Sequence, residues 1–346
     1  MLHLGLDLSR KRLDTCLMRD DGTIVESGRE GVDADALGSF GRRLAAFDEP
    51  VRGVIESMTG ARFVHDTLED AGIDVEMADA AKVKGFAPVT AKTDQIDAAV
   101  LADLSRRDLI PKVWLPDPHT RAARELVRFR TSLVKHRTMI KNRIHASLMT
   151  HGVANPTSDL FGVAGRRILD SLDVPEPWVS NIAEGVDMIE DLDERIATHR
   201  KRIIETGRDY HYVNHLVTIP GVGPILGLTI AAEIGDIARF ATPNRLVSYT
   251  GLAPRVYQSG DTDRRGPLTK HGPTQLRWAL IEATTHAARH QTYRTRHDNI
   301  RRRLGPHRGP KIARIDVARR IAVAAWWMCT RNEPFAPKGP NSPLAA

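Results

Sequence analysis

Four carboxylates in this chain could hold a hard cation. Asp7 lies within LHLGLDLS and Glu56 sits near the end of VRGVIES, each the lone acid of an apolar run that reads as a core strand. Asp94 and Asp97 are three apart in KTDQIDAAVLADL, which reads as a helix, so both side chains leave from one face. An acid at the inner end of a core strand is costly to desolvate unless a cation compensates it. Four oxygen-bearing groups from three segments are what a divalent cation requires, Mg²⁺ above all and Mn²⁺ as its substitute. Such sites position phosphates and activate the attacking oxygen in phosphoryl transfer. Taken singly, each acid has the plainer reading of a solvated strand-end residue. The constellation is what points to a metal.

Elements must bring these residues together, and the first hundred positions alternate strand and helix signals. LHLGLDLS reads as a strand; RLDTCLMRD, the turn Asp20-Asp21-Gly22 and TIVESGRE read as a hairpin. A helix over 34–47, the strand VRGVIES, a helix near 63–71 and the strand DVEMAD follow, and the helix of Asp94 and Asp97 closes the unit. This order predicts a mixed sheet covered by helices. From His119 to His151 the pattern is helical and basic, with Leu126, Phe129, Leu133, Ile140, Ile144 and Leu148 on one stripe. Residues 153–178 read as a loop-rich insertion, and a second amphipathic helix covers about 185–205. Two such helices suggest an antiparallel coiled coil or dimer arm, or a plain helical linker.

In LVTIPGVGPILGLTIAAEIGD, Pro220, Gly221, Gly223 and Pro224 separate two apolar helical stretches, as in a helix–hairpin–helix that offers backbone N–H groups to a phosphate. A core capping loop would look similar. GLAPRVYQSGDTDRRGPLTKHG reads as a loop dense in Gly, Ser, Thr, Arg and Lys. The helix TQLRWALIEATTHAARH comes next, then a final helix over about 311–329. The expected domains are 1–112, 113–208 and 209–332, with a Pro-rich disordered tail at 333–346.

With 50 Lys and Arg against 43 Asp and Glu, the net charge is +7. The distribution says more: residues 121–143 hold eight Lys or Arg against Glu125 alone, and a second basic stretch runs from Arg294 to Arg320. Such clusters suit a polyanion such as nucleic acid, or else a solvated helix face. No apolar run approaches a membrane span, no signal peptide is apparent, and Cys16 and Cys329 fit no zinc or disulfide spacing. A reducing cytoplasm is the expected setting.

LGLDLSRKRLDTCLMRDDG, GVIESMTG and AKTDQIDAAVLADLSRRDLIP, in that order, resemble the N-terminal domain of the DEDD transposases of bacterial insertion sequences, the insertion-sequence 110 family related to Piv-type invertases. LVTIPGVGPILGLTIAAEIGD and RLVSYTGLAPRVYQSGDTDRRGPLTKHGPTQLRWALIEAT resemble that family's second domain. The resemblance implies an RNase H-like (RuvC-like) α/β fold at the N-terminus, a helical coiled-coil middle and a mostly α C-terminal domain. Asp7, Glu56, Asp94 and Asp97 match the metal tetrad. The family's Tyr-x-Ser-Gly motif falls on Tyr257 to Gly260, which carries the nucleophile onto Ser259. A structured guide RNA that pairs with donor and target DNA is implied as well.

A serine hydroxyl needs a base or a metal to lose its proton. Arg255, Arg264, Arg265 and Lys270 beside Ser259 could neutralise a phosphodiester but cannot serve as bases. Arg128, Lys135 and Lys141 are further candidate nucleic-acid contacts. Attack by Ser259 would leave a phosphoserine link and a free hydroxyl, so strands could be exchanged without ATP, by an RNA-guided recombinase acting as a homodimer or homotetramer. Ser259 also reads as a turn residue, with Ser248 its nearest rival, and His271, His286, His290 and His297 read as surface histidines. The alternatives are a hydrolytic nuclease or junction resolvase using the tetrad alone, and a non-catalytic nucleic-acid-binding protein. Free ends rather than a covalent adduct would mark the first. The four intact carboxylates argue against the second.

Overall fold

The computed structural model describes residues 1–85, 94–154, 157–259 and 262–337. They gather into two compact units, Met1–Leu115 and Pro116–Ala346. The first contains β1 (Leu2–Leu8), β2 (Leu13–Arg19), β3 (Ile24–Glu30), α1 (Ala34–Ala45), β4 (Val51–Glu56), α2 (Ala61–Asp70), β5 (Asp74–Ala78), the short α3 (Ala80–Val83) and α4 (Asp94–Arg106). The sheet order is β3-β2-β1-β4-β5: β1 to β3 form an antiparallel meander, and β4 and β5 run parallel to β1. This is the mixed sheet the sequence predicts, and it is consistent with an RNase H-like unit.

Strand alternation in β1 sets the two faces of this sheet. Leu2, Leu4, Leu6 and Leu8 point one way, into a core with Leu37, Phe40 and Leu44 of α1 and Val64 and Leu68 of α2. His3, Gly5 and Asp7 point the other way, beneath α4. His3 Nδ1 lies 2.9 Å from Ser105 Oγ on α4. A Cβ on Gly5 would stand 1.8 Å from the Ala98 carbonyl oxygen and 2.6 Å from the Ala102 nitrogen. Glycine is therefore what lets α4 seat directly on the strand.

The second unit contains α5 (Pro118–Thr150), α6 (Val163–Asp170), α7 (Trp178–Asp209), α8 (Val213–Leu216), α9 (Pro224–Ile234), α10 (Pro243–Tyr249), β6 (Pro254–Ser259), β7 (Thr262–Leu268), α11 (Thr274–Ala287) and α12 (Gln291–Arg331). Asp117 caps α5, accepting from the Thr120 N–H at 2.9 Å, with Pro118 in the first turn. Helices α5 and α7 run antiparallel: Phe129 meets His199, Arg137 pairs with Asp193, and a Cβ on Gly185 would stand 3.1 Å from Ile144 and 3.4 Å from Ile140.

Several expectations are corrected here. Phe129, placed on the buried stripe by its spacing, is 47% exposed, while Val127 takes the inner position. The loop-rich segment 153–178 contains α6. Its Leu169, with Leu160 and Val174, packs on Ile144, Leu148, Ile182 and Ile189. The second long helix extends beyond 185–205 at both ends. Within the expected loop 251–272, Pro254–Ser259 and Thr262–Leu268 pair as a two-stranded antiparallel ribbon, β6 and β7. Residues 291–304, not expected to be helical, form the first arm of α12, which breaks at Gly305 (φ 73°) before the predicted final helix. Phe335, assigned to the disordered tail, donates its N–H to Thr218 Oγ1 at 2.8 Å and stacks on Tyr293; residues 338–346 lie outside the described residues.

In the Pro-Gly-Val-Gly turn, Gly221 (φ 88°) would place a Cβ 2.3 Å from the Ala283 carbonyl oxygen, so that glycine serves packing against α11. The helix before the turn, α8, has four residues. Both cysteines are buried and unpaired. Among the described residues, no helix is long and apolar enough to cross a membrane.

Candidate functional site

Each tetrad residue owes its place to one of these elements. Asp7 occupies the α4 side of β1. Glu56 ends β4 on the same side of the sheet as Val54, which packs on Leu101 and Leu104 of α4. Because β1 and β4 pair in parallel with Leu6 opposite Ile55, Asp7 and Glu56 follow side by side at the strand ends. Asp94 and Asp97 fill the first turn of α4, where the helix dipole favours negative charge. All four line one cleft of about 710 Å³, together with Ser9 and Lys84.

Burial, followed by the nearby charges of Asp97, Asp94, Glu56 and Asp14, pushes the Asp7 carboxyl up to about 6. A fifth carboxylate, Asp14, stands opposite Asp7 in the β1–β2 register and is fully buried. Arg12 Nε donates to Asp14 Oδ2 at 2.8 Å and Arg29 Nε to Asp14 Oδ1 at 3.2 Å. Arg12 Nη2 also donates to Asp94 Oδ2 at 2.6 Å. One guanidinium therefore ties the buried acid to a tetrad member. Sequence reasoning missed Asp14 and Arg12, although a signal existed: residues 7 and 14 are equidistant from the Ser9–Arg12 turn, so a hairpin reading pairs them.

The donor set fits a hard divalent cation, since it offers only carboxylate oxygens and its mutual repulsion is visible in the raised Asp7. Among the described residues no three acidic, His or Cys side chains already converge at ligand distance on one point. Asp94 is instead engaged by Arg12, and a cation would have to draw it away.

The remaining candidates lie in the second unit. Ser259 is the last residue of β6, paired with Thr262 and exposed at the end of the ribbon; Gly260 lies outside the described residues. Arg255 on β6 and Arg264 on β7 are exposed, and Arg265 pairs through its backbone with Val256. Lys270, exposed with φ 55°, follows the ribbon. Ser248 is an exposed residue of α10, and His271 and His286 are exposed. His290 caps α12, accepting from the Thr292 N–H, and His297 Nδ1 lies 3.1 Å from Asp298 Oδ1.

Two expected nucleic-acid contacts also have partners within the chain. Arg128 holds Glu233, a fully buried acid on α9, through Nε and Nη2 at 3.0 and 2.8 Å, which makes it a structural partner. The Lys141 ammonium lies 4.6 Å from the Phe161 ring centroid. Lys135 is exposed on α5. The structure thus gathers the four carboxylates in one cleft of the first unit and places Ser259 in the second.

Residues 4–152 match the DEDD transposase model of IS110 elements, and residues 213–298 match the model described as the transposase IS116/IS110/IS902 family. The chain belongs to the IS110/IS116 family of transposases. The first match spans all four carboxylates and the second spans Ser259. Two similar proteins are the transposase for insertion sequence element IS1111A of Coxiella burnetii and that for IS1328 of Yersinia enterocolitica, each 25% identical over 82% of this chain. These alignments cover 78% and 84% of the respective relatives. A Sinorhizobium fredii protein named as a transposase is 31% identical over 191 residues, 55% of this chain but only 47% of its own length.

Proposed function

We propose that this IS110-family chain catalyses DNA strand cleavage and exchange for an insertion sequence. In this reading Asp7, Glu56, Asp94 and Asp97 hold Mg²⁺ or Mn²⁺, and Ser259 is the nucleophile. The observation that carries it is the meeting of four carboxylates from β1, β4 and α4 in one cleft, with Asp7 raised to about 6 by burial and then by its acidic neighbours. When bound, the metal would supply positive charge for the transferring phosphate and its leaving oxygen. Without metal, Arg12, anchored on buried Asp14, holds Asp94 at the edge of the cleft.

Ser259 Oγ forms a bond to phosphorus as the phosphorus–oxygen bond of the DNA strand breaks. The serine proton passes to a base, and the departing oxygen leaves as a hydroxyl. The reverse attack by a hydroxyl from another strand reseals the backbone and releases the serine. Arg255, Arg264, Arg265 and Lys270 contact the phosphates around Ser259, and Lys135 adds a contact on α5. A homodimer or homotetramer supplies the paired sites that strand exchange demands. The α5–α7 pair serves as a coiled-coil arm and the turn before α9 as a helix–hairpin–helix phosphate contact. An element-encoded guide RNA selects donor and target; this part rests on the family resemblance, and the basic stretches are compatible with it.

The test incubates labelled substrate DNA with metal and looks for protein–DNA adducts under denaturing conditions. Ser259→Ala should form none, while Asp94→Asn should lose metal-dependent cleavage yet keep DNA binding. Adducts that persist in Ser259→Ala would move the nucleophile elsewhere. Free ends without any adduct from the unmodified protein would make the enzyme a hydrolytic nuclease.

A further inference from the structure

Beyond the ribbon and the carboxylate cleft, the end of the second unit folds into a helical hairpin. Helix α12 breaks at Gly305, and its two arms turn back on each other. Arg296 Nε and Nη2 reach Asp316 at 2.6 and 3.0 Å across twenty residues. A Cβ on Gly309 would stand 2.6 Å from the Arg301 carbonyl oxygen, so glycine permits this close return. The end of α11 closes a third side, where Arg314 Nη2 donates to Thr285 Oγ1 at 3.3 Å.

These three walls enclose a cleft of about 610 Å³ whose polar lining includes Arg289, Arg294, His297, Asp298, Arg301 and Arg314. A second cleft of about 690 Å³ shares Asp298 and Arg301, adds Arg302 and continues around the break. Residues 289–320 contain eleven Lys or Arg and two acids. Of those acids, Asp316 is taken by Arg296 and Arg320. Asp298 is shared between His297 and Arg294. Among the described residues, Arg289 and Arg301 have no carboxylate partner. Arginines such as Arg43, Arg52, Arg106 and Arg128, by contrast, each have a carboxylate partner. Gathering unpaired cations around one hollow raises their self-repulsion, which an anion of repeating charge relieves. Two clefts joined at Arg301 suit a polymer better than a small anion. Neither lining includes Phe, Tyr or Trp, and the His297 imidazole is only 12% exposed and held by Asp298, so an open stacking platform of the kind single strands use is absent from it.

We propose that the α11–α12 hairpin cleft binds the phosphate backbone of double-stranded DNA through Arg289, Arg301 and Arg314. The proposal rests on the DNA-exchanging function above and adds a contact that reads no sequence, holding the duplex by its backbone. Binding of the full chain to a labelled duplex of arbitrary sequence, measured in EDTA across a salt series, tests it. Each phosphate contact adds about 0.9 to the slope of log affinity against log salt. The Arg289→Gln/Arg301→Gln double variant should therefore bind more weakly, with a slope lower by about 1.8. Arg289→Lys/Arg301→Lys should keep the slope, and so should Arg195→Gln, an exposed change on α7. Circular dichroism checks that every variant is folded. An unchanged slope in the double glutamine variant, with the unmodified protein binding well, overturns the cleft assignment and leaves the cleavage chemistry standing. A loss confined to duplex RNA overturns the assigned ligand. Failure of the unmodified protein to bind duplex DNA refutes the functional reading itself.

Discussion

Replacing Asp7 by asparagine should stabilise the metal-free protein even though it removes a proposed metal ligand. The carboxyl ordinarily titrates at 3.8 and is pushed up to about 6 here, chiefly by burial and then by neighbouring acids. Ionising it in the folded state thus costs up to about 3 kcal/mol relative to the unfolded chain, at 1.36 kcal/mol per pKa unit. The side chain is only half-buried, and solvent screening trims this to about 1–2 kcal/mol. The sign follows from linkage: the folded state prefers the protonated form, so the penalty is absent below 3.8, grows between 3.8 and 6, and is constant above. Asp7→Asn should therefore raise stability by about 1–2 kcal/mol at pH 7.5 in EDTA, with the gain fading towards pH 4. Hydrogen exchange of peptides covering β1 reads this directly, because it reports opening of the first unit in the intact chain. Adding Mg²⁺ should reverse the order, stabilising the unmodified protein and not the variant. A variant less stable than the unmodified protein at pH 7.5 without metal, or a gain that ignores pH, would refute the electrostatic reasoning.

Two further outcomes follow from packing and pairing. Gly5→Ala should cost about 3 kcal/mol, seen as a lower urea midpoint, and should weaken metal binding, because the added carbon meets the α4 backbone, which has no side chain to rotate away. Arg128→Met should cost about 2–3 kcal/mol by leaving Glu233 buried without its main partner, and most of the loss should return in Arg128→Met/Glu233→Met. Duplex-DNA affinity unchanged in that double variant would confirm that Arg128 is structural.

Much of the first unit was legible because its signals are local. Alternation in LHLGLDLS assigns Asp7 to the face away from the leucines, and a three-residue spacing puts Asp94 and Asp97 on one side of a helix. Asp14 escaped notice because a buried acid is recognised by its partners, and Arg29 arrives only from the third strand. The ribbon carrying Ser259 was read as a loop for a related reason. Its β6 residues Val256 and Tyr257 are 52% and 59% exposed, so no buried face imposes an apolar alternation. In α12, Gly305, Pro306 and Pro310 conceal a helical hairpin that long-range pairs such as Arg296–Asp316 define. Phe129 misled because apolar spacing marks a helix face without saying which of its residues is covered: Leu133, Ile144 and Leu148 of the same stripe are buried, and so is Val127, which the stripe left out.

Strand β1 has no spare residue with which to separate chemistry from architecture. Inserting or deleting one position between Gly5 and Asp7 would exchange the strand's two sides downstream, sending the carboxylate among leucines and a leucine into the acidic cleft. Drift in this segment is therefore restricted to substitution, and lineages that change its length should lose catalysis and folding together, in one step.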